Sequence, residues 1–236
     1  MRVLGIDTST PCGSIGLIEG EQILCEYSVN RKMSHSERVL KTIDRVLEDS
    51  GISIGDVDGF AISRGPGSFT GLRIGVSVAK GLALATGKRV AGVSTLAALA
   101  QNARYSPHLI CPLLDARKGE VYAALYRNTE KNGLTTFAPE MAIKPIDLLE
   151  RIEGEALFLG DGVYTYGNLI RHKLGDRAHI APSPFNFVHG AVVAQLGRQS
   201  LEKGEYLDLE GFTPQYLRKS DAELMWKGKT AHEEIR

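Results

Sequence analysis

The chain has 236 residues, 43% hydrophobic and 24% charged, a balance that supports a sizeable core and excludes intrinsic disorder. Lys plus Arg (28) equals Asp plus Glu (28), so the basic excess of a protein that grips RNA phosphates unaided is absent. Cys12, Cys25 and Cys111 stand singly, which excludes a CxxC zinc or redox pair, and with no secretory h-region or membrane-length apolar run a cytoplasmic location is expected.

Residues 2–8 form an apolar run that predicts a first strand ending at Asp7. Residues 14–18, after the Pro11-Cys12-Gly13 turn, and 22–30, after the Glu19-Gly20-Glu21 turn, predict two more. Connections this short imply an antiparallel meander. A helix comes next: Ser34 and Glu37 fit a capping box, Val39, Leu40, Ile43, Val46 and Leu47 fall on one stripe, and Gly51 closes it. A strand over 59–63 runs into the sharp Arg64-Gly65-Pro66-Gly67 loop. The second helix, over 69–86, places Leu72, Val76, Ala79 and Ala83 on one face, and Gly71 and Gly75 let another backbone approach. A strand over 89–93 and a Ser94-capped helix over 95–104 complete this half.

The opening pattern then recurs. An apolar strand over 109–115 ends in Asp115, and a tight turn leads to a strand over 120–126, so Asp7 and Asp115 occupy equivalent places. Helices are expected over 145–152, 164–174 and 188–203, with a strand over 156–160. The chain reads as a duplicated α/β unit: an N-terminal lobe over 1–104, a less regular C-terminal lobe over 105–220 and a polar tail over 221–236.

Gly5-Ile6-Asp7-Thr8-Ser9-Thr10 ends a strand in an acid followed by three hydroxyls. Such a run suits a nucleotide phosphate site, with backbone N–H groups and the Ser9 and Thr10 hydroxyls around phosphate and Asp7 holding Mg²⁺ through water. It suits equally a strand end whose Asp, Ser and Thr bond their own turn, and spacing leaves both open.

Gly65-Pro66-Gly67-Ser68-Phe69-Thr70-Gly71-Leu72-Arg73-Ile74-Gly75 is more specific. Together with the opening motif it resembles the TsaB (YeaZ) family, the threonylcarbamoyladenosine biosynthesis protein B of bacteria. The resemblance runs over essentially the whole chain, through Ser34-His35-Ser36-Glu37, Gly92-Val93-Ser94-Thr95-Leu96, Asp115-Ala116-Arg117-Lys118-Gly119-Glu120-Val121-Tyr122 and Phe212-Thr213-Pro214-Gln215-Tyr216-Leu217-Arg218.

The resemblance implies a duplicated actin-like ASKHA (ribonuclease H-like) fold, two lobes of mixed sheet with flanking helices. It also implies a shortened, non-catalytic paralogue of the catalytic subunit TsaD. The family pairs with a TsaD-like subunit, and with a TsaE-like ATPase, to transfer threonylcarbamoyl to adenosine 37 of tRNAs that read ANN codons. It also pairs with itself, and it meets tRNA through the complex.

Residues of the catalytic relative that hold metal are absent here. Its two histidines, four apart on a helix after a strand like 89–93, fall by register on Thr95 and Leu99. Among His35, His108, His172, His179, His189 and His232 no pair has the four-residue spacing, so no metal site is expected. His35 beside Ser34 and Ser36 reads as a surface or interface histidine near a cap, because a base alone makes no site. Gly65-Pro66-Gly67-Ser68-Phe69 lacks the G-x-S-x-G elbow of a serine nucleophile. No catalytic residue is assigned. No tightly bound cofactor is expected, since the second half offers only Gly160-Asp161-Gly162 as a glycine-rich turn; ATP with Mg²⁺ is allowed only in the complex.

Function is then expected to reside in a pairing surface on the two N-terminal helices, which the resemblance places in a four-helix packing. The residues assigned are His35, Ser36, Leu40 and Ile43 on the first helix and Phe69, Thr70, Leu72, Arg73 and Val76 on the second. On this reading Leu72→Arg or Val76→Glu breaks pairing. The competing classes are an ASKHA ATPase or small-molecule kinase built on Asp7, and a metallopeptidase, which the absent histidine pair disfavours.

Overall fold

Both halves of the chain build the same five-stranded sheet. The computed structural model describes residues 1–30, 35–129 and 133–218, with side chains 35–37 outside the description. In the first sheet, β1 (Arg2–Asp7), β2 (Cys12–Glu19) and β3 (Gln22–Asn30) form an antiparallel meander. β4 (Gly59–Gly65) and β5 (Arg89–Ser94) then add in parallel beside β1, giving the order β3-β2-β1-β4-β5. The second sheet repeats that order with β6 (Leu109–Arg117), β7 (Glu120–Thr129), β8 (Gly133–Ile143), β9 (Ala156–Leu159) and β10 (Ala178–Ile180). Strand–turn–strand followed by parallel additions, twice over, is the duplicated actin-like, ribonuclease H-like arrangement.

Helices α1 (His35–Ser50) and α2 (Phe69–Thr86) cover one face of the first sheet. Val39, Ile43 and Val46 of α1 and Val76, Ala79 and Ala83 of α2 pack on Leu4, Ile6, Leu17 and Ile62. Burying such side chains stabilises the lobe by roughly 1.5–3 kcal/mol each. α2 has a strong start and stop. The Ser68 hydroxyl accepts from the Gly71 N–H, and Gly87 ends the helix in the left-handed conformation with φ 71°. The capping box proposed for α1 includes Ser34, which lies outside the described residues, as does the tail 221–236.

α3 (Thr95–Gln101) is shorter than the expected 95–104, and the chain continues as turns through Arg104. α4 (Pro145–Leu149) and α5 (Gly162–Leu174) flank the second sheet. Two strands were not anticipated. β8 mixes half-buried and exposed positions without clean alternation, and β10 is only three residues long.

The expected lobe boundary needs correction. α6 (Gly190–Glu202) belongs by sequence to the C-terminal half, yet it packs on the other face of the first sheet. Ala191 and Ala194 share a core with Val3, Ile18, Ala61 and Val93. The approach requires glycine: a Cβ on Gly5 would overlap the Gly190 carbonyl oxygen, and one on Gly190 would overlap the Gly16 N–H. The segment after α6 follows it. The Leu207 N–H donates to Val90 O at 2.8 Å, and that of Gln215 donates to Arg64 O at 2.8 Å. Residues 190–218 therefore complete the N-terminal lobe. Among the described residues no helix is long and apolar enough to cross a membrane.

Candidate functional site

The site to be tested first is the end of β1. Asp7 is fully buried, and Thr8, Ser9 and Thr10 are each at most 6% exposed. Every hydroxyl in the run already has an internal partner. Thr8 Oγ1 donates to Gly71 O at 2.7 Å, Ser9 Oγ to Asp7 Oδ1 at 2.6 Å, and Thr10 Oγ1 to Cys12 O at 3.0 Å. The start of α2 seals the loop from outside. The Ser68 N–H donates to Ser9 O at 2.7 Å. A Cβ on Gly67 would overlap Ser9 O, and one on Gly71 would overlap Thr8 O. The glycines of the 65–75 run thus let α2 dock against the loop.

Burial pushes the Asp7 carboxyl from 3.8 up to about 6, against the pull of the Ser63 and Ser9 hydroxyls. Its Oδ2 has no hydrogen-bond partner. Asp7 borders a cavity under α1, lined also by Ser14, Arg38 and Thr42, with about 20 Å³ open to the centre of a water molecule. That is room for one water. The run of Asp7, Ser9 and Thr10 bonds its own turn, one of the two arrangements that spacing leaves open.

The equivalent acid of the second lobe is also engaged. Asp115 Oδ1 accepts from the Arg117 N–H at 2.8 Å, Asp115 Oδ2 accepts from Thr165 Oγ1 at 3.3 Å, and Asp161 Oδ1 accepts from the Asp115 N–H at 3.0 Å. Burial raises the Asp161 carboxyl, with the Asp115 N–H bond opposing it.

Fixed polar ties join the two sheets. Glu140 of β8 accepts from Ser94 Oγ and, at 2.9 Å, from Gln215 Nε2. Arg218 donates to Ala116 O at 3.1 Å. Within the first lobe, Glu26 of β3 meets His189 Nδ1 at 2.6 Å and accepts the Ala191 N–H at 2.9 Å, fastening the start of α6 to its sheet. Burial pushes Glu26 up, but the His189 and Ala191 bonds outweigh it and hold the carboxyl below its usual range. His189 is raised by its bond to Glu26, with burial opposing.

The pairing residues divide into two groups. Ile43, Leu72 and Val76 are buried against the first sheet, with exposures of 2%, 1% and 6%, so they are core residues and their assignment to a surface is corrected. Leu40 is half-exposed, and Thr70 and Arg73 are exposed. Phe69 and Arg73 are partly engaged within the chain. Phe69 packs its ring 4.6 Å from that of Tyr216, and Arg73 lies 3.9 Å over Phe69. For His35 and Ser36 only the backbone, at the start of α1, is described. The outer ridge of α2, at Thr70, Arg73, Ser77, Gly81 and Leu84, is exposed throughout. Leu84 is 88% exposed and was missed by sequence reasoning, although its spacing from Ser77 placed it on that ridge. Thr95 and Leu99 are fully buried in the core that joins α3 to β6.

Comparison with known proteins agrees with this architecture. Residues 22–226 match the family model described as TsaD, tRNA N6-adenosine threonylcarbamoyltransferase. The chain is thus one of the two-lobed homologues that share this module. The tRNA threonylcarbamoyladenosine biosynthesis protein TsaB of Bacillus subtilis is 34% identical over 96% of this chain and 98% of its own length. That of Escherichia coli is 32% identical over 96% and 97%. The solved YeaZ from Pseudomonas aeruginosa superposes with a TM-score of 0.76 at 28% identity, over 92% of this chain and 99% of its own. The chain belongs to the TsaB (YeaZ) family.

Proposed function

We propose that this chain is a supporting, non-catalytic subunit of the machinery that places threonylcarbamoyl on adenosine 37 of tRNAs reading ANN codons. It pairs with a TsaD-like catalytic subunit, and a TsaE-like ATPase acts with them. The observation that carries this reading is the closed β1 end. The residue types of a phosphate cradle are present, but the turn itself and the start of α2 have taken up their hydrogen bonds, so the chain keeps the fold of a nucleotide-dependent enzyme with its phosphate end engaged internally. Glu140 ties the lobes through Ser94 and Gln215, whereas an enzyme of this fold closes its lobes around substrate.

What remains available is the α1–α2 surface. The α2 ridge carries Thr70, Ser77 and Gly81 with one apolar end at Leu84, and Leu40 is exposed on α1. Such a surface allows close helix approach, and docking against a like helix pair would bury the roughly 1,200–2,000 Å² typical of a stable interface. The same face serves for self-pairing in the absence of the partner. The reading as an ATPase or small-molecule kinase built on Asp7 is disfavoured by the sealed loop.

Sedimentation of this chain mixed with a TsaD-like subunit tests the assignment. A one-to-one complex is expected for the wild type, with at least tenfold weaker association for Leu84→Glu and Leu40→Glu at unchanged melting temperature. Undiminished association of the Leu40→Glu/Leu84→Glu double variant would place the interface elsewhere.

A further inference from the structure

At the end of the second sheet where β6, β9 and β10 begin, the fold brings together three metal-ligating side chains that are distant in sequence. His108 immediately precedes β6, Glu155 immediately precedes β9, and His179 is the middle residue of β10. The strands are parallel neighbours: Leu109 pairs with Ala156, and His179 pairs with Leu157. We propose that His108, Glu155 and His179 form a binding site for a divalent transition metal of the Zn²⁺ class, one that staples the edge strand β10 to the sheet.

Both imidazoles point a ring nitrogen at one carboxylate oxygen. His108 Nδ1 lies 3.2 Å and His179 Nε2 2.9 Å from Glu155 Oε2. The rings stack nearly parallel, 4.3 Å apart at 12°. One ligand atom from each of the three residues falls within 4.8 Å of the others. Ligand bonds of about 2.0–2.2 Å in a tetrahedral site separate neighbouring ligand atoms by about 3.3 Å, so closing the set around an ion needs small swings of three partly exposed side chains. Two nitrogens and a carboxylate oxygen select Zn²⁺, Cu²⁺ or Ni²⁺ over Mg²⁺ or Ca²⁺, whose ligands are all oxygen.

The backbone beneath is held in place. The Leu109 N–H donates to Glu155 O at 3.1 Å, and the His108 N–H to Ser106 Oγ at 3.2 Å. Arg177, just before β10, donates to Glu153 O at 2.7 Å. Side-chain exposures of 30%, 54% and 39% for His108, Glu155 and His179 leave the fourth coordination position open to water. On binding, each imidazole presents its lone pair at the nitrogen now facing Glu155 and keeps its proton on the other nitrogen. Any proton on a ligating nitrogen is released to solvent as the ion binds, so affinity falls on acidification.

The test uses the full chain stripped with a chelator and titrated calorimetrically with Zn²⁺ alone, with Co²⁺ as a spectroscopic probe. One ion per chain is expected, with the intense visible bands of four-coordinate Co²⁺. His179→Gln and Glu155→Gln should each weaken binding at least tenfold, while His172→Gln, on exposed α5, leaves it unchanged. Equal affinity in the wild type and a His108→Gln/His179→Gln double variant overturns the proposal. If the variants melt below the metal-free wild type, ring ¹⁵N shifts of wild-type His108 and His179 on adding Zn²⁺ decide it: movement of both supports the site, and movement of neither removes it.

Discussion

Replacing Asp7 by Asn should stabilise the protein at neutral pH and leave it nearly unchanged in acid. The native carboxyl is raised to about 6 from an ordinary 3.8, so the folded state holds this proton more tightly than the unfolded chain does. Stability is therefore lost as pH rises between those values and stays lost above them. The gap corresponds to about 3 kcal/mol at pH 8, an upper figure because the small cavity at Oδ2 admits a water. Asn cannot ionise. Its side-chain carbonyl can still accept from Ser9. Urea unfolding of both proteins at pH 4.5, 6 and 8 should show a difference that grows with pH in favour of Asp7→Asn. A difference independent of pH, or one that favours the wild type more strongly at pH 8, refutes the claim that Asp7 is a sealed, costly carboxylate. On the proposed function the same variant should still support its partner.

Leu72→Arg and Val76→Glu place a charge in the core under α2 and should cost at least about 4 kcal/mol, seen as unfolding by circular dichroism rather than as loss of pairing in a folded chain. Gly71→Ala drives a methyl into the Thr8 carbonyl and should cost about 2–3 kcal/mol in urea unfolding; a neutral effect would mean that α2 does not press on the loop. Glu26→Gln should cost about 2 kcal/mol at pH 6, by loss of the charged bond to His189. That contribution disappears as pH falls through the lowered Glu26 value and as pH rises through the raised His189 value, so the variant and wild type should converge at both extremes.

Much of the first lobe is legible in the residues themselves. β3 and α2 carry bounds that turn residues and caps define locally: Gly20 at one end, Ser68 and Gly87 at the other. β8 escapes because residues 133–143 lack clean alternation, being a half-exposed outer strand that needs β7 beside it to form. The return of α6 to the first sheet escapes for a different reason. Periodicity shows that a helix has an apolar face but not which sheet that face meets. α2 illustrates the same limit more sharply. Ile74, Val78, Leu82 and Leu84 make it apolar on several sides, so the pattern that groups Leu72 and Val76 on one face does not say which face meets the sheet. At Asp7–Thr10 the residue types are the same whether the hydroxyls face a ligand or their own turn. Only the position of α2 decides. The His108, Glu155 and His179 cluster depends wholly on strand order, which sequence spacing does not carry.

Threonylcarbamoyl transfer to tRNA by a TsaD-like subunit with its TsaE-like ATPase, measured with and without this chain and with this chain alone, tests the central claim most directly. The account predicts transfer when the chain is present, little in its absence, and none by the chain alone, with Asp7→Asn as effective as the wild type. Transfer or nucleotide turnover by the isolated chain, or full transfer in its absence, would contradict it.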